Sequence, residues 1–477
     1  MSNLSELLPA GAGAKSASFV ASGTLGSGVT VALQSDGTVE AVGETAIPQA
    51  VGTPVVFAAA ASRTISTVFD SSSNKVVIAY RSALDKGVVV VGTVSGTSIS
   101  FGSEVIFDNG FAQYISTVFD SSNNKIVITY SDGNNSDYGT SIVGTVSGTS
   151  ISFGTPVVFS SSNTAFISST FDSNVNKALI AFRDGGALNE GRAVVATVSG
   201  TSISFGSKYY FSISTEVTSC TFDSSTNKVV IAYSDGGNNY GTAVVATISG
   251  TTISYGSLVV FRSAYTDYIS LAFDSTADKI VLACRSTNGL AFVGTVSGTS
   301  ISFGSAVVFD TEAQYNSTTY DPNANKTTIA YRDHTNSGYG TAIVGTVSGT
   351  SISFGSEVVF ATSALRDISS AYDSSLNKIV IGYANQGNPT IPDEGTSVVF
   401  QNASTSTNSA DFIGITDQAI ADTATGAVIV QGGVSEKVSS LTTGSDYYVQ
   451  DDGSLSTTVS SVPAGRALSS TSILLEG

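Results

Sequence analysis

Hydrophobic residues along this chain fall in runs of four to eight, rich in Val, Ile, Thr, Phe and Tyr, each closed by a cluster of Gly, Asn, Asp or Ser. β-Branched and aromatic side chains suit a pleated, half-buried surface and the clusters are turn formers, so the pattern predicts short β-strands. No apolar spacing of 3.6 residues competes with it, and no amphipathic helix is expected. The runs come in sets of four, of which Ile115–Phe119, Lys125–Tyr130, Thr140–Ser147 and Ser150–Phe159 are one.

The sets repeat. An aromatic-Asp-x4-Lys signature recurs at Asp70/Lys75, Asp120/Lys125, Asp172/Lys177, Asp223/Lys228, Asp274/Lys279, Asp321/Lys326 and Asp373/Lys378, which makes seven units spaced 47 to 52 residues. Four-stranded units of this length match a β-propeller, in which radial repetition leaves only short sheet edges. A β-solenoid is the alternative, but its coils are usually shorter and lack four-strand punctuation. A second signature, SGTSISFG or a near variant, occurs only six times, with its aromatic at Phe101, Phe153, Phe205, Tyr255, Phe303 and Phe354. The seventh unit stops after its third strand, near Asn402, whereas Gly52–Phe57 ahead of the first unit reads GTPVVF, like the end of every fourth strand. Val51–Phe57 is therefore expected to supply the fourth strand of the seventh blade. The fold class that follows is all-β, a seven-bladed propeller over 45–403. Residues 1–44 and 404–477 read as short strands and Gly turns, and are expected to form one small β-barrel or sandwich built from both chain ends, with the propeller inserted in it.

In a propeller blade the loops after strands one and three share a face, and those after strands two and four share the other. The first set hardly varies: DSSSNK, DSSNNK, DSNVNK, DSSTNK, DSTADK, DPNANK and DSSLNK, with the SGT turns. There the Asp accepts hydrogen bonds from its own turn and the Asn before Lys tolerates a left-handed backbone, so these are tight structural hairpins. None has the oxygen-ligand density of a dedicated calcium loop, and no metal site or cofactor is expected. The second set differs in every blade and gathers Tyr, Arg, Asp and Asn. Its candidate ligand-binding residues are Tyr114, Tyr138, Arg183, Asp184, Asp235, Tyr240, Tyr268, Arg285, Tyr315, Arg332, Asp333, His334 and Tyr339. A rigid scaffold with varied loops is a usual arrangement for recognition. The alternative is that unequal loops have drifted and their aromatics merely cover the blades. The terminal domain is expected on the constant face, leaving the varied one outward.

Composition narrows the function. Only 12% of residues are charged, 41% are hydrophobic, and the net charge is −17. Without clustered Lys and Arg to neutralise phosphates or lipid headgroups, neither nucleic acid nor an anionic membrane is an expected partner. No run of 18 apolar residues is present, so no membrane-spanning helix is expected. The opening MSNLSELLPAGAGAKSASF lacks a basic region followed by an apolar core, which predicts synthesis without a secretory leader. Cys220 and Cys284 fall in different repeats and read as small buried hydrophobes.

The phrases NLSELLPAGAGAKSASFVASGTLGSGVTVALQSDGTVEAVG, DFIGITDQAIADTATGAVIVQGG and LTTGSDYYVQDDGSLSTT resemble the terminal segments of tail-fibre-like and head-decoration-like virion structural proteins of tailed phages, especially those of marine cyanobacteria. The resemblance covers about 120 residues at the chain ends. It implies a virion location after synthesis in the host cytoplasm, other virion proteins as partners of the terminal domain, and a propeller that binds a host-surface glycan. A homo-oligomer is compatible with it. A purely structural shell or tail component is the alternative. A glycan-cleaving enzyme is a third reading; such chemistry needs two suitably spaced carboxylates, or Tyr with an acidic partner. Arg81, Arg183, Arg285 and Arg332 end the second strands of four repeats, but no repeat is rich in acids and His334 is the one histidine. The expectation is that the chain is not an enzyme and has no catalytic residues.

Overall fold

The computed structural model describes residues 15–387, 390 and 392–476. Of the phrases that carry the virion resemblance, residues 3–14 lie outside them. The chain forms two compact units, Met1–Ile47 with Ala403–Gly477, and Pro48–Asn402. Both are all-β: among the described residues the only helical elements are single 3-10 turns, and no helix is long and apolar enough to cross a membrane.

The terminal unit joins the two chain ends in one sheet, ordered Ser16–Val20, Thr425–Val430, Phe412–Thr416, Thr30–Leu33, Val39–Ala41. A second sheet is ordered Val434–Ser435, Ser472–Leu475, Pro463–Ser469, Asp446–Val449, Leu455–Ser456. Ala32, Ile415, Tyr447, Val449 and Ile473 share one core across the two sheets.

In the larger unit each repeat is an antiparallel meander and the fold is β-propeller-like. The second repeat has strands Ala112–Asp120, Lys125–Asp132 and Tyr138–Ser147. Second strands are buried on both faces, as in KIVITYSD, which explains their unbroken apolar runs. Each core lies between neighbouring sheets: Val77, Ala79 and Val89 of the first repeat pack with Ile126, Ile128 and Tyr130 of the second. A repeat therefore buries its faces only by stacking on its neighbours. The same holds between the chain-distant ends of the unit, where Ile78 and Val90 pack with Val380 and Val399. Ala50–Val51 and Val55–Ala61 pair with Glu394–Gln401, the last strand of the unit.

Two expectations change. The fourth strand is not one piece: Ser150–Phe153 is followed by a break and then by Val157–Asp172, which runs on without interruption into the next repeat. The break falls at Gly154, where a Cβ would stand 2.0 Å from the carbonyl oxygen of Thr201 in the next repeat's SGT turn. The chain must kink there to seat that turn, and only glycine leaves room. Second, Tyr114, Tyr268 and Tyr315 are not on loops between blades. They lie within the first strands of their repeats, Ala112–Asp120, Asp267–Asp274 and Ala313–Asp321, at a β-bulge.

Candidate axial pocket

The bulge recurs at one place in every first strand, with its crest just before the Ile-Ser or equivalent. The residue at its crest has a left-handed backbone in each repeat: Thr64 (φ 50°), Tyr114 (49°), Phe166 (50°), Val217 (44°), Tyr268 (47°), Tyr315 (53°) and Asp367 (50°). Such a conformation crowds Cβ against the carbonyl and is unfavourable for any non-glycine residue, most of all a β-branched one. It persists because the strand is pinned just beyond it. The Ser66 Oγ accepts the Thr117 N–H at 2.9 Å, Ser116 that of Ser169 at 3.0 Å, and Ser168 that of Cys220 at 3.0 Å. Likewise Ser270 accepts from Thr318, Ser317 from Ser370 and Ser369 from Thr67, each at 2.9 Å. The hydroxyls stitch first strands side by side, including the last repeat to the first.

The crest residues converge on one cavity of about 270 Å³, lined by them and by the residue after each, among them Ile65, Thr218, Asn316 and Ile368. Its aromatic walls come in two pairs, Tyr114 with Phe166 (ring centroids 5.2 Å apart) and Tyr268 with Tyr315 (4.8 Å). Arginines back them: Arg183 lies 4.7 Å from the Phe166 ring and Arg285 4.8 Å from that of Tyr268, fixing the rings by cation–π contact. Arg285 is held in turn by Asp267, through hydrogen bonds of 2.9 and 2.6 Å. Burial pushes the Tyr268 phenol above its ordinary pKa, and neighbouring Tyr315 adds to this, so it remains a neutral hydroxyl.

The polar groups are unevenly placed. The Asp367 carboxylate accepts the Thr64 N–H at 3.3 Å. Its pKa is raised, first by burial, against the pull of Thr64, Arg366 and Arg63. Asn316 gives its Nδ2 to the Tyr268 carbonyl at 3.1 Å. The Asn316 Oδ1 and the Thr64 Oγ1 are buried with no hydrogen-bond partner among the described residues. A buried polar atom without a partner is costly, and an ordered water or a ligand is one way its bonding is completed.

The thirteen candidates divide. Tyr114, Tyr268 and Tyr315 line the cavity, and Arg183 and Arg285 support its rings. Asp235 and Asp333 cap turns: Asp235 takes the Gly237 N–H at 2.9 Å, while Asp333, 4% exposed, takes the Thr335 hydroxyl at 2.8 Å and the Asn336 N–H at 3.0 Å. Tyr138, Tyr240 and Tyr339 open third strands, away from the cavity. Arg332 is half-buried beside Gly338. His334 is exposed, 3.9 Å from a Glu312 oxygen. Asp184 belongs to a different cleft, with Lys208 and Arg192. Thr64, Phe166, Val217, Asn316 and Asp367 were not among the candidates. The signal for them is the column before Ile-Ser, which reads Thr, Tyr, Phe, Val, Tyr, Tyr, Asp two residues ahead of a constant Ser, and, for Asn316, its place in the otherwise mostly Ile column that follows.

Among the described residues no group of three or more His, Cys, Asp and Glu is placed to hold a metal ion. Cys220 and Cys284 are free and buried, and burial pushes both thiols up to about 12.

No family model matches the chain, and no curated protein matches its sequence. Solved structures match the fold. A lectin from Burkholderia pseudomallei is similar over 69% of this chain and 94% of its own, at 9% identity and a TM-score of 0.52. A fungal alcohol oxidase in complex with copper is similar over 75% of this chain and 77% of its own, at 9% identity and a TM-score of 0.50. The second likeness overturns the expectation that the chain is not an enzyme: that expectation rested on the lack of an acid-rich repeat and on a lone histidine, whereas an oxidase has a similar fold, so the fold gives no ground for excluding catalysis.

Proposed function

We propose that the seven repeats close into a seven-bladed ring, that its axial pocket binds a glycan, and that the chain is a virion component of a tailed phage, attached through its terminal unit. The observation that carries the binding is the convergence of one strained residue per repeat on a single cavity, with its identity changed from repeat to repeat. Strain of about 1–3 kcal/mol at a site persists only where the surroundings over-determine it, and it clusters at ligand sites. Closure is supported by the pairing of Val55–Ala61 with Glu394–Gln401 and by the bond from Thr67 to Ser369. Flat tyrosines suit the C–H face of a sugar, while Asp367 and the unpartnered Asn316 and Thr64 oxygens suit its hydroxyls. The lectin likeness is compatible with this chemistry. The virion part rests on the phrases at the chain ends.

Weak single contacts suffice where many copies on one particle raise the effective concentration. The purified chain is expected to bind a subset of saccharides on a glycan array, and Tyr268→Ala to lose them. An array with no retained glycan, or one unchanged in Tyr268→Ala, overturns the pocket reading. Antibody to the chain is expected to label purified phage particles; label confined to the soluble lysate overturns the virion reading.

A further inference from the structure

The third repeat departs from the others at three positions on its outer edge. Arg192 stands where the other third strands carry Thr140, Thr242, Thr341 and Thr396, or the apolar Val88 and Leu290. Lys208 replaces a position held elsewhere by Glu104, Pro156, Leu258 or Glu357, and Tyr210 one held by Ile106, Val158, Val260 or Val359. Arg192 is paired in register with Tyr210, and directly opposite residues of an antiparallel pair share a face. Lys208 stands just ahead of the strand Tyr209–Ser212 and lines a cleft with Arg192. Tyr210 is 45% exposed.

Arg192 and Lys208 wall a cleft of about 310 Å³ with Ser161, Ser162, Asp184 and Gly186. Asp184 is 2% exposed, and takes the Lys208 ammonium at 2.7 Å, the Gly186 N–H at 3.2 Å and the Ser162 hydroxyl. Burial works to raise this carboxyl, but Lys208 and Ser162 hold it below the usual range, so it is an ionised acceptor. Arg192 donates to Glu190 at 2.7 and 3.1 Å. Two cations and two carboxylates leave no surplus charge, which gives an anion nothing to bind without displacing Glu190. What the cleft offers instead is donors and acceptors in alternation beside an exposed aromatic ring. A sugar hydroxyl both donates and accepts, and neighbouring hydroxyls on one ring need such an alternation.

We propose that this edge of the third repeat is a second saccharide subsite, which takes a neutral hexose through vicinal hydroxyls on Asp184, Arg192 and Lys208 with Tyr210 beneath the ring. It is independent of the axial pocket. The test is saturation-transfer NMR on the full chain with the methyl glycosides of glucose, galactose and mannose, and with methyl glucuronide as the charged counterpart. The variant Arg192→Thr/Lys208→Leu/Tyr210→Val installs the residues that the fourth repeat carries at Thr242, Leu258 and Val260; because it strips buried Asp184 of its cations, Tyr210→Val, which leaves those pairs in place, is read beside it and is expected to weaken binding in the same direction. At least one neutral glycoside is expected to bind, with an affinity that falls about tenfold in the triple variant, as for loss of a binding hot spot, and holds in Tyr268→Ala. Absence of binding by all three, a triple variant that binds like the parent, or preference for the glucuronide overturns the subsite. Loss only in Tyr268→Ala overturns it while leaving the axial pocket standing; loss only in the triple variant supports it and counts against that pocket.

Discussion

Two positions put a non-glycine residue in a left-handed backbone in every repeat, and the two columns are filled by opposite rules. In the Asp-x4-Lys hairpins the positions are Asn74, Asn124, Asn176, Asn227, Asp278, Asn325 and Asn377, with φ between 51° and 57°. Asn and Asp tolerate that region because their short polar side chains bond locally. At the bulges the same torsion, φ 44° to 53°, is imposed on Thr, Tyr, Phe, Val and Asp. Where the turn serves only the fold, the residue is the one that relieves strain. At the bulges the torsion falls on residues that mostly do not relieve it, the contrast that the proposed binding role of the pocket column accounts for.

The proposed ring is the premise of both columns, and removing it breaks the comparison outright. Deleting residues 1–61 takes away the strands that pair with Glu394–Gln401 and the Phe57 side chain from its core. The large unit is expected to lose its single cooperative thermal transition. A truncated chain that melts sharply at an unchanged temperature rejects closure.

Next in size is the hairpin side. Asp120 is 2% exposed and accepts from the Ser122 N–H (2.9 Å), the Ser122 hydroxyl (2.6 Å), the Asn123 N–H (3.0 Å) and the Asn123 amide (2.9 Å). Asp120→Ala strands those donors and is expected to destabilise by about 3 kcal/mol in urea unfolding, since unmet buried hydrogen bonds to a charged group cost this much. Glycan binding should be untouched at temperatures where the variant is folded. The reverse, stability kept and binding lost, assigns the constant face to recognition.

An exchange between the columns sharpens the point. Asn124→Val puts a β-branched residue where Asn was chosen, and should cost about 1–2 kcal/mol. Thr64→Asn puts a tolerant residue where a β-branched one stands with its hydroxyl unpartnered, and should stabilise by about 1 kcal/mol on the same ground. Equal losses in the two variants would mean that the bulge strain is not borne by residue 64.

The repeat and the strand borrowed from before the first unit are legible because turn chemistry and short apolar runs are local, whereas the break in each fourth strand is set by the neighbouring repeat. The pocket is less so. Tyr114, Tyr268 and Tyr315 read as loop residues because a bulge leaves no mark in composition: the flanks of Tyr114, Gln113 and Ile115, are those of an ordinary strand, and the register shift is imposed by hydrogen bonds to the neighbouring repeat. Gly154 ends the recurring SGTSISFG signature, but its reason shows only when Thr201 of the next repeat is placed against it. Pro463–Ser469, PAGRALS, carries turn formers and, besides Pro and Gly, only two alanines and one leucine, and is a strand through tertiary pairing alone.

The smallest effect separates two accounts of Asp367. Its carboxyl is raised in the folded chain, by burial first, with the carboxylate of Asp393 adding to this; the Thr64 N–H, Arg366 and Arg63 oppose it. An acid whose folded pKa lies above its unfolded value of about 3.9 takes up its proton in the native state first. The charge therefore burdens the fold at neutral pH, and the burden lifts as pH falls through the folded pKa, fully so below the unfolded one. Acidification also relieves the net charge of −17, so the quantity to measure is the stability of the parent relative to Asp367→Asn. That difference is expected to move in favour of the parent between pH 7 and about pH 4, the window set by the carboxyl reference value. Movement the other way would make Asp367 a salt-bridge partner of Arg63 and Arg366, chosen for the fold like the hairpin acids, and would remove it from the set of groups kept for a ligand.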